Sequence, residues 1–213
     1  MKSRVATFDS GRMTRDYSHI VGIDEVGRGP LAGPVAVCAA MTPASFDFSV
    51  FPKLGDSKQL SEKVREEIFT RALDLQYAGK LRFAVHYESP EAIDLYGIEE
   101  ATRRALESAL SGVCAAEHTV RVFLDGRLKA PPHFPQETII GGDALVPIIS
   151  LASVIAKVSR DRIMADLCRL YPAYGFSRHK GYGTAAHRKA IAEYGLSPLH
   201  RKSFCKQIAL KEE

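Results

Sequence analysis

Apolar and polar positions change period several times along the chain, and the changes divide it into short strands and longer helices. Apolar runs bounded by turn residues, Ile20 to Asp24, Val35 to Ala40, Leu81 to Tyr87 and Val120 to Leu124, predict four strands, with a short fifth at Thr138 to Ile140. In "SEKVREEIFTRALDLQ", Val64, Ile68, Ala72 and Leu75 fall on one helical face behind Ser61 as N-cap. Ile98 to Leu110 reads as a second helix. "VPIISLASVIAKVSRDRIMADLCRLYP" reads as the longest, with Pro147 near its start and Pro172 just beyond its end. A further helix runs from Ala185 to Tyr194 and is closed by Gly195. This order predicts an α/β fold, a mixed sheet flanked by helices with a helical C-terminal extension. The expected organisation is a mobile N-terminal tail over residues 1–18, a main unit over 19–170, and an extension of the same domain over 171–213.

Composition narrows the class. A chain of 213 residues, 46% hydrophobic, buries one sizeable core. No apolar stretch approaches the roughly 20 residues of a membrane span, and the N-terminus lacks the apolar core of a secretory signal, so a cytoplasmic protein without a membrane partner is expected. Cys38, Cys114, Cys168 and Cys205 lie far apart with no C-x-x-C pair, as reduced thiols in a core would. The net charge of +4 conceals an asymmetry: residues 1–156 hold 17 Lys/Arg against 20 Asp/Glu, and residues 157–213 hold 12 against 5. Tyr171, Tyr174, Phe176, His179, Tyr182 and His187 are interleaved with the late cations. Cations and flat rings together suit a surface that tracks phosphates and stacks on sugars or bases, so nucleic acid is the expected partner.

Three apolar runs deliver acids at or just past their ends: Asp24 and Glu25 after Val-Gly-Ile, Asp125 after Val-Phe-Leu, and Asp143 after Ile-Ile-Gly-Gly. In an open sheet such ends meet along one rim. Like charges gathered in a cleft repel and take up protons unless a cation balances them. Mg²⁺ and Mn²⁺ prefer hard oxygens and keep several waters, which suits a site of three or four carboxylates. A competing motif is present, since Gly27, Gly29 and Ala32 fit the loose fingerprint of a dinucleotide-binding turn. It is set aside because Asp24 and Glu25 would repel a pyrophosphate, Pro30 and Pro34 break the required helix, and Val35 resumes a strand.

The blocks "GIDEVGRGPLAGPVAV", "GDSKQLSEKVRE", "FLDG", "GGDALVPIISLASVIAKVSRDR" and "YPAYGFSRHKGYGTAAHRKAIAEYGLSPLHRKSF" resemble, in order and spacing, those of bacterial ribonuclease HII, over about Ile20 to Phe204. The resemblance implies a ribonuclease H-like mixed sheet with the extension over the substrate groove. It implies metal-dependent cleavage of the RNA strand of RNA/DNA hybrids and incision 5′ to a ribonucleotide in duplex DNA, leaving 5′-phosphate and 3′-hydroxyl ends. By position, Asp24, Glu25, Asp125 and Asp143 match the family's metal-holding acids, with Mg²⁺ or Mn²⁺ as cofactor. Gly27, Arg28 and Gly29 match the segment whose backbone bonds the ribose 2′-hydroxyl, where a missing Cβ admits the sugar. Lys58 matches a phosphate contact, and Tyr182 the ring that lies on the deoxyribose 3′ to the ribonucleotide.

Ser150, Ser153, Lys157 and Arg160, spaced 3, 4 and 3 apart, form one polar helix face that suits a phosphate track, whereas Asp161 reads as structural. Gly97 stands where many of the similar proteins have asparagine, which leaves that backbone contact in doubt. The closing "KQIALKEE" faintly resembles a sliding-clamp peptide but lacks its terminal aromatic, so no clamp partner is claimed; a monomer is expected. Two other classes stay open at this point. A non-catalytic nucleic-acid-binding module leaves the four acids without a task, and a nuclease acting on DNA junctions leaves Gly27 to Gly29 without one.

Overall fold

Five strands, β1 (His19–Val26), β2 (Val35–Pro43), β3 (Arg82–Glu88), β4 (Val120–Asp125) and β5 (Gln136–Ile139), build one sheet in a computed structural model that describes residues 17–114 and 120–209. The sheet order is β3-β2-β1-β4-β5. β1 pairs antiparallel with β2, and β2 with β3, while β1–β4 and β4–β5 are parallel. The helices are α1 (Glu62–Tyr77), α2 (Pro90–Tyr96), α3 (Ile98–Val113), α4 (Gly142–Leu145), α5 (Pro147–Leu170), α6 (Phe176–His179), α7 (Ala185–Tyr194) and α8 (Lys202–Ala209). Among the described residues, no helix is long and apolar enough to cross a membrane, and the four cysteines are free thiols.

Strand alternation sorts the core into two layers. Ile20, Cys38, Ala40 and Phe123 face α1 and α5, whereas Val21, Ile23, Val37, Ala39, Val122 and Leu124 face α3. α1 starts where expected, with the Ser61 hydroxyl accepting from the Val64 amide at 3.3 Å, and buries Ile68, Phe69, Ala72 and Leu75. The first turn of α5 lies directly on β1. A Cβ on Gly22 would sit 2.3 Å from the Ile148 carbonyl oxygen, so glycine is required at that crossing.

The predicted elements stand, with shifted ends and additions. The fifth strand is Gln136–Ile139, and Ile140 beyond it is 87% exposed. α2, α4, α6 and α8 are helices of four to eight residues that periodicity does not predict. The residues after Leu170 fold back onto the loop between β1 and β2: Tyr174, Phe176 and Ala190 pack on Ala32 and Met164, and Leu31 packs with Ile191 and Cys205. Backbone bonds fasten that loop, from Leu31 N–H to Gly181, Gly33 N–H to Leu199 and Arg201 N–H to Leu31, at 2.8–2.9 Å. Tyr174, Phe176 and His187 are therefore buried core, a correction to their expected place among the surface rings; Tyr182 is the exposed one.

Candidate active site

Asp24 and Glu25 are consecutive on a strand, so their side chains leave opposite faces of β1. Asp24, buried, points to the α5 side, where the Ser153 hydroxyl hydrogen-bonds it. Glu25 points to the α3 side and lines a groove of about 620 Å³ with Arg28, Glu99, Thr102 and Arg127. Asp125 closes the neighbouring parallel strand β4, and Asp143 lies in the first turn of α4, its amide donating to Asp125 Oδ1 at 3.3 Å. The Ser150 hydroxyl donates to the Asp143 carbonyl and fixes that turn to α5.

The charges interact. Burial raises the Asp24 carboxyl well above its usual pKa, and Glu25 and Asp125 add repulsion against the Ser153 hydroxyl bond. Glu25 is raised by burial and by Asp125, opposed by Arg28 and Lys58; Asp125 is raised by burial and by Asp143. Lys58 answers them from the loop before α1, with its Nζ 3.5 Å from Asp143 Oδ2 and most of its side chain in solvent. Its partial burial works against the ammonium, yet Asp143, Asp24 and Asp56 hold its pKa above the usual value. Among the described residues no three acids, histidines or cysteines close on one point. The donor set nonetheless fits a hard divalent cation: four carboxylates, three of them driven toward protonation by one another and by burial, faced by one displaceable ammonium.

Beside the acids, the Gly27 to Gly29 segment and Tyr182 come together. Gly29 is exposed, and among the described residues beyond its chain neighbours only Cε1 of Tyr182 comes within 4.0 Å of where a Cβ would be. The main chain is thus open at Gly29, whereas Gly27 is buried with φ +89°, and a Cβ there would meet Arg160 Nε at 2.2 Å. Arg28 extends over the groove and pairs with Glu99, with Glu25 at 3.8 Å. The expected phosphate track on α5 is a correction: Ser150, Ser153 and Arg160 are 3%, 5% and 0% exposed, and Lys157 bonds Asp161 at 2.8 Å. Three of its four positions support the site from beneath, because this face of α5 meets α4, β1 and the β1–β2 loop rather than solvent. Gly97, at φ +81°, joins α2 to α3, and among the described residues nothing beyond its chain neighbours lies within 4 Å of where its Cβ would be.

A buried histidine chain, which sequence reasoning missed, carries the Tyr182 loop. The Ser197 amide donates to His200 Nδ1 at 2.9 Å, so His200 Nε2–H donates to His187 Nε2 at 3.1 Å, and His187 Nδ1–H donates to the Tyr182 carbonyl at 2.9 Å. Burial, with His179 and His200 nearby, holds the pKa of His187 down to about 4 against the bond to the Tyr182 carbonyl. The folded protein therefore stays unprotonated there between pH 6.5 and 4 while the unfolded chain takes up a proton. Stability should fall on acidification through that window by up to about 3 kcal/mol from this group. Melts of wild type and His187→Gln across pH 4–7 check it; the loss specific to wild type should disappear in the variant.

Residues 21–207 match the model of a family described as ribonuclease HII. A ribonuclease HII of Desulfitobacterium hafniense is 45% identical over 189 residues, which covers 88% of this chain and 69% of that protein. One from Thermosynechococcus vestitus is 41% identical over 206 residues, 96% of this chain and 92% of that one. Among solved structures, the ribonuclease H2 of Pyrococcus horikoshii superposes with a TM-score of 0.72 at 24% identity, covering 91% of this chain and 98% of that one, a likeness of fold.

Proposed function

The chain belongs to the ribonuclease HII family, and from that membership we propose that Asp24, Glu25, Asp125 and Asp143 are its catalytic acids and that it incises duplex DNA 5′ to an embedded ribonucleotide. As a ribonuclease H it is an endonuclease that acts on RNA/DNA hybrids. The observation that carries the finer proposal is the meeting, at one rim of the sheet, of those four acids with an exposed glycine and an exposed ring, Gly29 and Tyr182.

The four carboxylates would hold the divalent cofactor, Mg²⁺ or Mn²⁺, whose chemistry when bound is to make a water nucleophilic and to offset charge on the departing 3′ oxygen. Ser153 and the Gly142 and Asp143 amides orient Asp24 and Asp125 before substrate arrives. Lys58 gives up Asp143 and moves to the phosphate beside the cut. The amides of Gly27, Arg28 and Gly29, which among the described residues bond no acceptor, meet the ribose 2′-hydroxyl. The Tyr182 ring lies on the next sugar, and a product with 5′-phosphate and 3′-hydroxyl ends leaves. Support for these roles comes from the burial and repulsion of the acids and from Tyr182 Cε1 lying 4.0 Å from where a Cβ on Gly29 would be. The experiment is a duplex with one ribonucleotide, incubated with and without EDTA and mapped at both ends. Incision on the 5′ side, abolished by EDTA, is expected; cutting 3′ to the ribonucleotide, or in EDTA, contradicts it.

Arg178, Arg188 and Lys189 are exposed on the C-terminal extension and are proposed to track the backbone of the duplex. Removing each phosphate contact should lower the slope of log affinity against log salt by about one. Arg178→Gln and Lys189→Gln, titrated by anisotropy on a hybrid, test this; unchanged slopes place the track elsewhere.

A further inference from the structure

Arg160 and Arg201 are fully buried, and among the described residues neither forms an ion pair. Their donors go to main-chain carbonyls. Arg201 donates to Gly27 at 2.6 Å, to Arg28 at 2.8 Å and to Gly33 at 2.8 and 3.0 Å. Arg160 donates to Pro34 at 2.8 Å, to Ala32 at 3.3 Å and to Lys180 at 2.9 Å. Two cations buried without an anion are costly, and an apolar pair of the same volume would serve a core better. Burial lowers the pKa of Arg201 to about 9, with the charge of Arg160 adding to it.

The pattern of those bonds has a geometric result. The carbonyls of Gly27 and Arg28 are turned inward onto one guanidinium, and among the described residues the amides of the same segment bond no acceptor. The other guanidinium ties the same loop to Lys180, a residue held at φ 53° two positions before Tyr182. The pair therefore sets both the direction of the loop's amides and the spacing between Gly29 and the Tyr182 ring. Resting on the proposed reading of the ribose by this loop, we infer that Arg160 and Arg201 are positioning residues for sugar discrimination, a buried guanidinium scaffold that aims the amides of Gly27 to Gly29 and the Tyr182 ring at one nucleotide.

Lysine keeps the charge and one or two bonds but loses the planar fork, so Arg160→Lys and Arg201→Lys should fold and mis-aim the loop. The readout is the ratio of dissociation constants, by anisotropy in EDTA, for an all-DNA duplex and the same duplex with one ribonucleotide. Wild type should prefer the ribonucleotide, and each lysine variant should lose about tenfold of that preference while its affinity for all-DNA duplex changes less than about twofold. Arg201→Met, with the fork and charge both gone, should lose it entirely if it folds by circular dichroism; if it does not, the lysine variants decide. A preserved ratio in lysine variants that only melt at a lower temperature would overturn the inference and leave the arginines a packing role. A wild-type ratio of one would instead overturn the reading of the ribose by the loop, and this inference with it.

Discussion

Asp24→Asn and Asp143→Asn should each lower cleavage of an RNA/DNA hybrid by at least about a thousandfold and leave the fold in place. Each substitution removes a hard oxygen donor and a negative charge from a rim where the acids already repel one another. The effect on stability has the opposite sign. Burial holds the Asp24 carboxyl above its unfolded pKa, so the metal-free protein loses stability as pH rises from the usual carboxylate range through that raised value. Asparagine at that position removes the loss, and metal-free Asp24→Asn should melt at a higher temperature than wild type at neutral pH. Single-turnover cleavage together with calorimetry in EDTA measures both halves. Cleavage near the wild-type rate by either variant would take the acids out of catalysis.

Tyr182→Ala should cost about 5-fold to 150-fold in kcat/KM on a duplex with one ribonucleotide, the range that ~1 to 3 kcal/mol of stacking supplies when it is expressed in the transition state. The ring is 43% exposed, and its backbone is held at both ends: the amide donates to His179 at 2.9 Å, and the carbonyl accepts from Thr184 and His187. A ring so anchored beside Gly29 is proposed to favour a deoxyribose on the 3′ side, because a 2′-hydroxyl packed on that face would be crowded and partly desolvated. The loss on a continuous RNA strand paired with DNA should therefore be smaller. Tyr182→Phe should keep most activity, since the ring makes the contact. Equal losses on the two substrates would assign the ring to catalysis or structure in general and leave junction selectivity to Gly27 to Gly29.

Much of this was legible in the chain because its signals are local. The strand ends that carry Asp24 and Asp125, the Ser61 cap and the Pro147 start of α5 each follow from a few adjacent residues. The polar spacing of Ser150, Ser153, Lys157 and Arg160 was real, but periodicity reports that residues share a face and not what the face meets. α5 is buried on several sides, so its polar stripe lies beneath the site. The partners of Arg160 and Arg201 lie as far as 128 and 174 residues away along the chain, and a buried arginine bonded to carbonyls carries no local mark that separates it from an exposed one. The same distance hid the packing at Gly27, whose missing Cβ makes room for a side chain from α5.

The central claim is that the carboxylates at this rim hold the divalent cation. Titration of metal-free protein with Mn²⁺, read by the loss of free-ion electron paramagnetic resonance signal in the presence of an uncleavable hybrid, tests it directly. Wild type and Tyr182→Ala should bind Mn²⁺ alike, and Asp24→Asn and Asp143→Asn at least tenfold more weakly; equal binding by all four proteins would contradict it.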